Sequence, residues 1–158
     1  MKKHNFGPLY CGESKTLILG SFPSVKSRET QFFYGHPQNR FWRVISAVLS
    51  SHAPQSIEEK QELILKNNLA LWDVIGQCDI EGSSDSSIKN VIPNDIAGLL
   101  EKTSIQKIFV NGKTAEKYYN KYLLDKTGIK AVVLPSTSPA NAAYSLERLI
   151  DEWKVTLK

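Results

Sequence analysis

The chain has 158 residues, of which 41% are hydrophobic, so it is long enough to bury one substantial core, and we expect a single domain spanning residues 1–158. No apolar run is long enough to span a bilayer, and the N-terminus lacks the apolar stretch of a signal peptide, which predicts a cytoplasmic protein that contacts no membrane. Two cysteines without a Cys-x-x-Cys pair and three scattered histidines disfavour zinc and iron–sulfur sites, so we expect neither a metal nor a cofactor.

Short apolar runs alternate with amphipathic segments along the chain. We predict strands at Thr16–Gly20, residues 69–75, Lys107–Asn111 and residues 131–135, and helices at residues 40–51, 57–67, 113–123 and 144–154, with one more helix opening at residues 93–95. Strands separated by helices pair in parallel, because the helix carries the chain back to the start of the next strand. The sequence therefore predicts an α/β fold, a three-layer α/β/α sandwich with a central four-stranded parallel sheet.

Positive charge is concentrated in the N-terminal part of the chain. The net charge is +4, yet residues 1–43 hold seven basic and two acidic residues, which leaves −1 for the remaining 115 residues. Three adjacent aromatic residues, at positions 32–34, lie in this basic segment. Basic side chains neutralise phosphates and aromatic faces stack on bases, so the segment is suited to nucleic acid, although an ordinary solvated surface explains the charge equally well.

Small polar residues lie where the predicted strands end. Residues 20–24 follow the first strand, Asp73 lies at the end of the second, Asn111 closes the third and residues 135–141 follow the fourth. Because the carboxyl ends of parallel strands share one rim of a sheet, we expect these residues to converge on one crevice. Turn chemistry alone also favours Gly, Pro, Ser and Asn after strands, and it explains any single loop about as well.

Three common chemistries of α/β proteins are disfavoured by residue spacing. Residues 112–114, Gly-Lys-Thr, end like a phosphate-binding P-loop, but that motif needs a glycine where Lys107 stands. Residues 20–22 lack the Gly-x-Ser-x-Gly spacing of a nucleophile elbow, and the chain has no Gly-x-Gly-x-x-Gly fingerprint. These mismatches argue against a nucleotide hydrolase, a serine hydrolase and a dinucleotide oxidoreductase.

Three segments resemble the uracil-DNA glycosylase superfamily, and among its branches most of all the hypoxanthine-DNA (deoxyinosine) glycosylases. They are strand one with Gly-Ser-Phe-Pro-Ser at residues 20–24, His-Pro-Gln-Asn-Arg-Phe-Trp at residues 36–42, and Leu-Pro-Ser-Thr-Ser-Pro-Ala-Asn at residues 134–141. The second segment is also similar to mismatch-specific uracil and thymine glycosylases, whereas the other two are more specific to the branch. The resemblance implies an enzyme of base excision repair, a monofunctional DNA glycosylase that hydrolyses the N-glycosidic bond of a deaminated base, preferably hypoxanthine.

The resemblance also implies that Asn39 is the catalytic residue. Mismatch-specific enzymes place a catalytic asparagine directly after strand one, where this chain has Phe22, whose ring cannot position water. The hypoxanthine branch uses the asparagine of the Pro-Gln-Asn-Arg segment, which is Asn39 here. An amide oxygen that faces the sugar can orient water and stabilise an oxocarbenium-like transition state. Asn39 is also suited to capping the helix that follows it, and the two roles are compatible.

Several further residues are predicted to form the base pocket. Phe22 and Tyr34 offer rings that can stack on a flipped base, and His36 is placed either to donate to the substrate or to order its turn. Asp85, flanked by serines, is either a general base or a turn residue. The predicted pocket residues are Gly20, Ser21, Phe22, Pro23, Ser24, Tyr34, His36 and Asn111.

DNA is the predicted partner of the protein, which we expect to act as a monomer. Residues 136–141 are suited to entering the minor groove and contacting phosphates. The residues predicted to contact DNA are Lys26, Arg28, Arg40, Ser136, Thr137, Ser138, Pro139 and Asn141.

Two alternative functions stay open from the sequence, a mismatch-type uracil-DNA glycosylase and a non-catalytic α/β module that binds nucleic acid or nucleotides. Hypoxanthine and uracil both present a carbonyl beside an N–H group, so hydrogen bonding along that edge does not separate them. The width of the pocket must therefore decide between these two bases.

Overall fold

Strands and helices alternate through residues 1–157, the part of the chain that the computed structural model describes. The strands are β1 (Lys2–Lys3), β2 (Thr16–Gly20), β3 (Leu69–Asp73), β4 (Ile75–Asp79), β5 (Lys89–Pro93), β6 (Lys107–Asn111) and β7 (Val132–Leu134). The helices are α1 (Val25–Thr30), α2 (Phe41–Val48), α3 (Ile57–Lys66), α4 (Ile96–Glu101), α5 (Lys113–Tyr122), α6 (Leu124–Thr127) and α7 (Leu146–Leu157). A short 3₁₀ turn, Asp85–Ser87, lies between β4 and β5.

The central sheet has the strand order β3-β2-β6-β7, and each neighbouring pair is parallel. Leu17, Ile18 and Leu19 of β2 are all fully buried. A strand that is apolar on both faces needs cover on both faces, which is why the sequence shows a continuous apolar run there instead of an alternating one.

Helices cover both faces of the central sheet. Leu17 and Leu19 pack with apolar residues of α4 and α5 on one face, whereas Ile18 packs with apolar residues of α2, α3 and α7 on the other. The predicted three-layer α/β/α sandwich around a four-stranded parallel sheet is therefore confirmed.

A second sheet was not predicted from the sequence. It is antiparallel, with the strand order β1-β4-β5. The predicted strand at residues 69–75 was too long, because β3 ends at Asp73 and the chain turns at Val74 into β4 of this second sheet. The fold thus joins the end of a central strand directly to a sheet that the N-terminal residues complete.

Polar side chains begin several of the helices. The Ser56 hydroxyl accepts from the Glu59 amide at the start of α3, and Asp95 accepts from the Gly98 amide at the start of α4. The short helix α1, which was not predicted, begins in the same way, with the Ser24 hydroxyl accepting from the Ser27 amide. This cap fixes the segment that leads from β2 towards Tyr34.

Candidate active site

A cavity of about 490 Å³ opens at the carboxyl rim of the central sheet. Gly20, Asp73 and Asn111 end β2, β3 and β6 there, and the loop after β7 supplies residues 136–140. This volume lies in the range of about 300–1,000 Å³ that is typical of small-molecule pockets, so it suits a single flipped base. The sequence-predicted residues that line the cavity include Gly20, Ser21, Phe22, Pro23, Ser24, Tyr34, His36, Asn39, Asp85 and Asn111.

Glycine at position 20 lets two polar side chains approach the end of β2. A Cβ atom on Gly20 would lie 2.4 Å from Oδ1 of Asp73 and 3.2 Å from Oη of Tyr34. Any side chain at position 20 would therefore collide with the Asp73 carboxylate. The two oxygens consequently lie near one point at the floor of the cavity.

The Asp73 carboxylate is held by a hydrogen bond from the His4 ring. The His4 Nε2 atom donates to Oδ2 of Asp73 at 2.7 Å, and the two side chains are only 2% and 6% exposed. Since a carboxylate oxygen accepts, Nε2 is the ring nitrogen that carries the hydrogen. The other carboxylate oxygen, Oδ1, accepts no hydrogen bond from any residue in the described range, and Asp73 lines the cavity.

Tyr34 forms part of the same floor and has an unusual backbone. Its φ angle is 53°, in the left-handed region, and its ring stacks on Phe41 with a centroid separation of 4.0 Å. Its hydroxyl is buried and has no hydrogen-bond partner within residues 1–157. Burial, and after it the charge of Asp73, raise the pKa of the Tyr34 phenol, and the Asn111 side chain, which lies nearby without a well-aligned hydrogen bond, lowers it in part. The phenol therefore stays protonated and can donate.

Asn39 lies in the cavity wall at the end of a side-chain hydrogen-bond network. Its Oδ1 accepts from the Phe41 amide and from the Thr137 hydroxyl, each at 2.9 Å. Thr137 Oγ1 in turn accepts from Nδ2 of Asn111 at 3.0 Å, and the Thr137 amide donates to Oδ1 of Asn111 at 3.1 Å. Both acceptor positions of the Asn39 oxygen are occupied, whereas its Nδ2 donates to no residue in the described chain, and Asn39 lines the cavity.

Comparison with known proteins identifies the family. The model of the uracil DNA glycosylase superfamily matches residues 8–156. This chain belongs to that superfamily. The resemblance of the sequence segments to this superfamily is thereby confirmed, and so is the expectation of a DNA glycosylase.

Relatives of this glycosylase match it over nearly their full length. A protein of Methanosarcina acetivorans named hypoxanthine DNA glycosylase is 36% identical over 160 residues, which cover 100% of this chain and 99% of the relative. A protein of the same name from Methanosarcina barkeri is 33% identical over 144 residues, 89% of each chain. A solution NMR structure of a candidate uracil DNA glycosylase from M. acetivorans has a TM-score of 0.81 at 36% identity, and the match covers 95% of this chain and 92% of that one.

Arg40 of the glycosylase is engaged by the loop after β7. Its guanidinium donates to the carbonyls of Ser138 at 2.9 Å, Asn141 at 3.0 Å and Thr137 at 3.4 Å, and also to that of Tyr144. Four of its five N–H groups are thus directed at backbone oxygens. The sequence predicted a DNA contact for Arg40, whereas the contacts in the structure hold together the loop that carries the other predicted DNA residues.

Arg28, another predicted DNA contact, is likewise bonded within the glycosylase. Its guanidinium donates to the Gly82 carbonyl at 2.6 Å and lies 5.5 Å from the centroid of the Phe22 ring. Arg28 thereby joins α1 to the serine-rich loop of residues 81–87. Lys26 is exposed and has only a 3.9 Å ion pair with Glu29.

Asp85 lies at the mouth of the cavity, in the serine-rich loop. It is exposed, and its Oδ1 accepts from the Ser21 hydroxyl at 3.4 Å. Partial removal of the carboxyl from water raises its pKa, and the hydroxyls of Thr114 and Ser21 offset part of the rise. A carboxylate with a raised pKa at a cavity mouth is suited to general-base chemistry.

The loop after β7 is preformed by its own hydrogen bonds. Asn141 Nδ2 donates to the Ser136 carbonyl at 3.0 Å, and the Ser138 amide donates to the Ser136 hydroxyl at 3.1 Å. Thr137 is fully buried, whereas Pro139 is exposed at the cavity rim. The loop therefore presents its tip to the outside while Thr137 anchors it to the site.

Two of the predicted pocket residues also have structural contacts. His36 accepts from the Gln38 amide through Nδ1 at 3.1 Å, so it orders its turn as well as lining the cavity. Phe22 is 9% exposed and belongs to the apolar core, with its edge at the cavity.

Sequence reasoning did not assign roles to His4 and Asp73. The sequence did indicate that Asp73 lies near the site, because it ends a predicted strand at the rim of the sheet. No such indication existed for His4, because its place in the site depends on the pairing of β1 with β4, about 75 residues along the chain.

Neither a metal cluster nor a membrane span is found in the described part of the chain. No three His, Cys, Asp or Glu side chains of residues 1–157 gather closely enough to hold a metal ion. Over the same residues no helix has the length and apolar character needed to cross a bilayer.

Proposed function

We propose that this glycosylase removes hypoxanthine from deoxyinosine in DNA, as a monomeric and monofunctional enzyme of base excision repair in the cytoplasm. The observation that carries the proposal is the position of Asn39, the asparagine of the Pro-Gln-Asn-Arg segment, in the wall of a base-sized cavity. The two full-length relatives named hypoxanthine DNA glycosylase favour the same substrate.

The substrate nucleotide enters the cavity after it has rotated out of the duplex. A base inside the stack is not reachable from a pocket at the rim of a sheet, so the nucleotide must be flipped. Residues 20–24 and residues 136–140 of the loop after β7 both line the cavity. The preformed loop, held by Arg40, supports the flipped nucleotide, while exposed Lys26 contacts phosphate.

Asn39 acts through its Nδ2 group in this proposal. The two hydrogen bonds to Oδ1 leave the amide without an acceptor for water but with a free donor. As the glycosidic bond breaks, the leaving base gains negative charge, and a preorganised N–H donor stabilises that charge. The network through Thr137 and Asn111 fixes the donor in place before the reaction begins.

Asp85 activates the attacking water. Once the base has begun to leave, the sugar resembles an oxocarbenium ion, and it needs a placed water molecule more than a strong nucleophile. The Asp85 carboxylate accepts the proton of that water, and its negative charge stabilises the cationic sugar. The sequence left open whether Asn39 or Asp85 positions the water, and the proposal assigns this role to Asp85 because the Asn39 oxygen already accepts two hydrogen bonds within the fold.

Uracil is the second candidate base. The superfamily and the structural neighbour from M. acetivorans both carry uracil in their names, and uracil presents the same carbonyl and N–H edge. Phe22 stands where mismatch-specific enzymes hold their catalytic asparagine, and it is buried in the core, so removal of uracil by that route is disfavoured.

Single-turnover excision from matched duplexes tests the proposed function. Duplexes of one sequence that contain deoxyinosine, deoxyuridine or only normal bases are incubated with excess protein, then treated with alkali to cleave abasic sites. We expect rapid product from deoxyinosine, slower product from deoxyuridine and none from the normal duplex. Asn39→Ala should slow the formation of product about a hundredfold or more, whereas Gln38→Ala, at an exposed neighbouring position, should not. A wild-type protein that releases no hypoxanthine would refute the proposal.

A further inference from the structure

Two polar groups on the floor of the cavity lack partners within the described residues. They are the Tyr34 hydroxyl, which is buried, and Oδ1 of Asp73, whose other oxygen is held by His4. Both lie within 3.2 Å of the position that a Cβ atom on Gly20 would occupy. Buried polar groups are normally satisfied, so an unsatisfied pair beside an open cavity indicates that a ligand completes it.

We propose that Tyr34 and Asp73 form the donor and acceptor that recognise the base, and that His4 is the positioning residue that directs the Asp73 carboxylate. The proposal rests on the proposed function, because it names the edge of the base that the same cavity recognises. It assigns roles to His4 and Asp73, which the sequence segments did not single out.

The pair fits a base with a carbonyl beside an N–H group. The Tyr34 hydroxyl donates to the carbonyl oxygen, and Oδ1 of Asp73 accepts from the neighbouring N–H. Hypoxanthine presents O6 and N1–H in this order, whereas adenine presents an amine and a bare ring nitrogen. Adenine would leave the Asp73 oxygen facing a lone pair, which a water-excluded site penalises strongly. Guanine shares the edge of hypoxanthine, so its 2-amino group must be excluded elsewhere in the pocket.

The chemistry of each group supports its assigned role. A carboxylate accepts hydrogen bonds and does not donate them, so Asp73 discriminates more sharply than an amide, which offers both. Burial and the nearby Asp73 charge raise the pKa of the Tyr34 phenol, which keeps its proton available for donation. The Tyr34 ring is fixed by stacking on Phe41, so the hydroxyl has little freedom to turn away.

His4 fixes the direction of the Asp73 carboxylate. Its bond to Oδ2 leaves only Oδ1 for the cavity. The His4 ring packs against Phe6, Phe22 and Phe33, with centroid separations of 4.4, 6.2 and 6.3 Å, and its position is fixed by the backbone, since the His4 amide donates to the Gly76 carbonyl at 2.7 Å. The second sheet therefore serves the site, because it brings an N-terminal residue behind the floor of the cavity.

Affinity for uncleavable duplexes separates base recognition from catalysis. The duplexes carry 2′-fluoroarabino-hypoxanthine or 2′-fluoroarabino-adenine opposite the same thymine, and the quantity compared is the ratio of the two dissociation constants. The different cost of flipping the two bases is common to all protein variants, so a change in this ratio reports on the pocket. We expect Tyr34→Phe, which keeps the stacked ring, to lower the preference for hypoxanthine about tenfold or more.

Variants at position 4 test the positioning role. His4→Phe keeps an aromatic ring in the cluster but removes the donor, and we expect it to lower the preference about tenfold. His4→Gln, whose amide nitrogen reaches about as far as Nε2, should restore most of it. Phe6→Leu perturbs the same cluster without touching Asp73, so it should lower the melting temperature and leave the preference unchanged.

The outcomes distinguish this inference from the proposed function. If His4→Phe and Phe6→Leu destabilise the fold alike and both keep the wild-type preference, His4 is a core residue and the positioning role is wrong. If Tyr34→Phe also keeps the preference, the assignment of the reading pair is wrong. If the wild-type protein prefers hypoxanthine duplexes and loses this preference in His4→Phe, the inference stands even where no excision is detected, and only the proposed function fails.

Discussion

The Thr137 hydroxyl donates to Oδ1 of Asn39 at 2.9 Å, across 98 residues of sequence. The same oxygen accepts from the Phe41 amide at the start of α2. One asparagine thus has two separate functions within a single side chain, because its oxygen is committed to the fold and its nitrogen is left for the cavity. The N-cap residue of α2 is Arg40, one position later than the sequence suggested, but the Asn39 oxygen still accepts from the first helical amide, so this role at the helix start is compatible with catalysis.

Asn39→Asp separates capping from catalysis. Aspartate is as good a cap as asparagine, so the carboxylate should keep both hydrogen bonds and the free energy of unfolding should change little. The donor is lost and a negative charge replaces it, so excision of hypoxanthine should fall about a hundredfold or more. Single-turnover rates and urea unfolding curves of the same preparation measure the two effects.

Asn39→Ala is the matched control, because it removes the cap and the donor together. It should lose a comparable amount of activity and also about 1 kcal/mol of stability. If Asn39→Asp retains the wild-type rate, the free Nδ2 donor has no part in the reaction.

Thr137 is predicted to act through the Asn39 and Asn111 side chains. Thr137→Val keeps the shape of the side chain but removes the hydroxyl that both amides use. It should cost about 1–2 kcal/mol of unfolding free energy, because a buried network is left incomplete, and lower the excision rate about tenfold. Thr137→Ser keeps the hydroxyl and should recover the rate. Equal rates in the Val and Ser variants would show that the network does not hold Asn39 for catalysis.

The central sheet could be predicted because its signals are local. β2 and β6 are short apolar runs that end at glycine or asparagine, and the amphipathic segments between the strands have helical spacing. These features depend on sequence neighbours, and parallel pairing follows from the alternation of strands and helices. The convergence of strand-end residues on one cavity then followed from topology alone.

The second sheet and the His4–Asp73 pair depend on distant contacts. β1 has two exposed lysines and β5 has no fully buried residue, so neither shows a strand pattern in the sequence. The contacts of Arg40 with the loop after β7 could not be predicted either, because its partners lie about 100 residues later in the sequence. From its sequence neighbours alone, a basic residue beside aromatic residues is typical of a DNA contact. Only the return of the chain after β7 shows that carbonyls of residues 137–144 surround its guanidinium.

Lys26 and Arg40 are predicted to respond differently to salt. Lys26→Gln should flatten the slope of log affinity against log salt concentration by about one unit if this exposed lysine contacts phosphate. Arg40→Gln should leave the slope unchanged but lower the melting temperature, because most of its donors hold the loop. Binding to an undamaged duplex over a salt series measures both slopes. A flattened slope in Arg40→Gln would support the sequence prediction that Arg40 contacts DNA.

Asp85 is predicted to control the acid limb of the pH–rate profile. Only the carboxylate form accepts a proton from water, so the single-turnover rate should fall as pH drops through the pKa of Asp85. Desolvation raises this pKa above the ordinary 3.8, so the loss begins at a higher pH than for a free aspartate. Asp85→Asn should remove the limb and leave a low, flat profile. An unchanged limb in this variant would assign the titration to another group.

Excision is predicted to proceed in the presence of a chelator and to leave an intact abasic strand. The donors that serve the reaction in our proposal are side-chain groups of the chain itself, so EDTA should not lower the rate. Lys26 is the lysine that follows the cavity residues 20–24 most closely in sequence, but it does not line the cavity, and its exposed amine pairs with Glu29 at 3.9 Å, so we expect no Schiff base. Gels run with and without alkali detect strand scission, and borohydride traps any Schiff base. Strand scission before alkali treatment, or a covalent adduct that Lys26→Gln abolishes, would indicate a lyase mechanism instead of simple hydrolysis. If EDTA inhibits excision and added metal restores it, a metal ion takes part in the reaction.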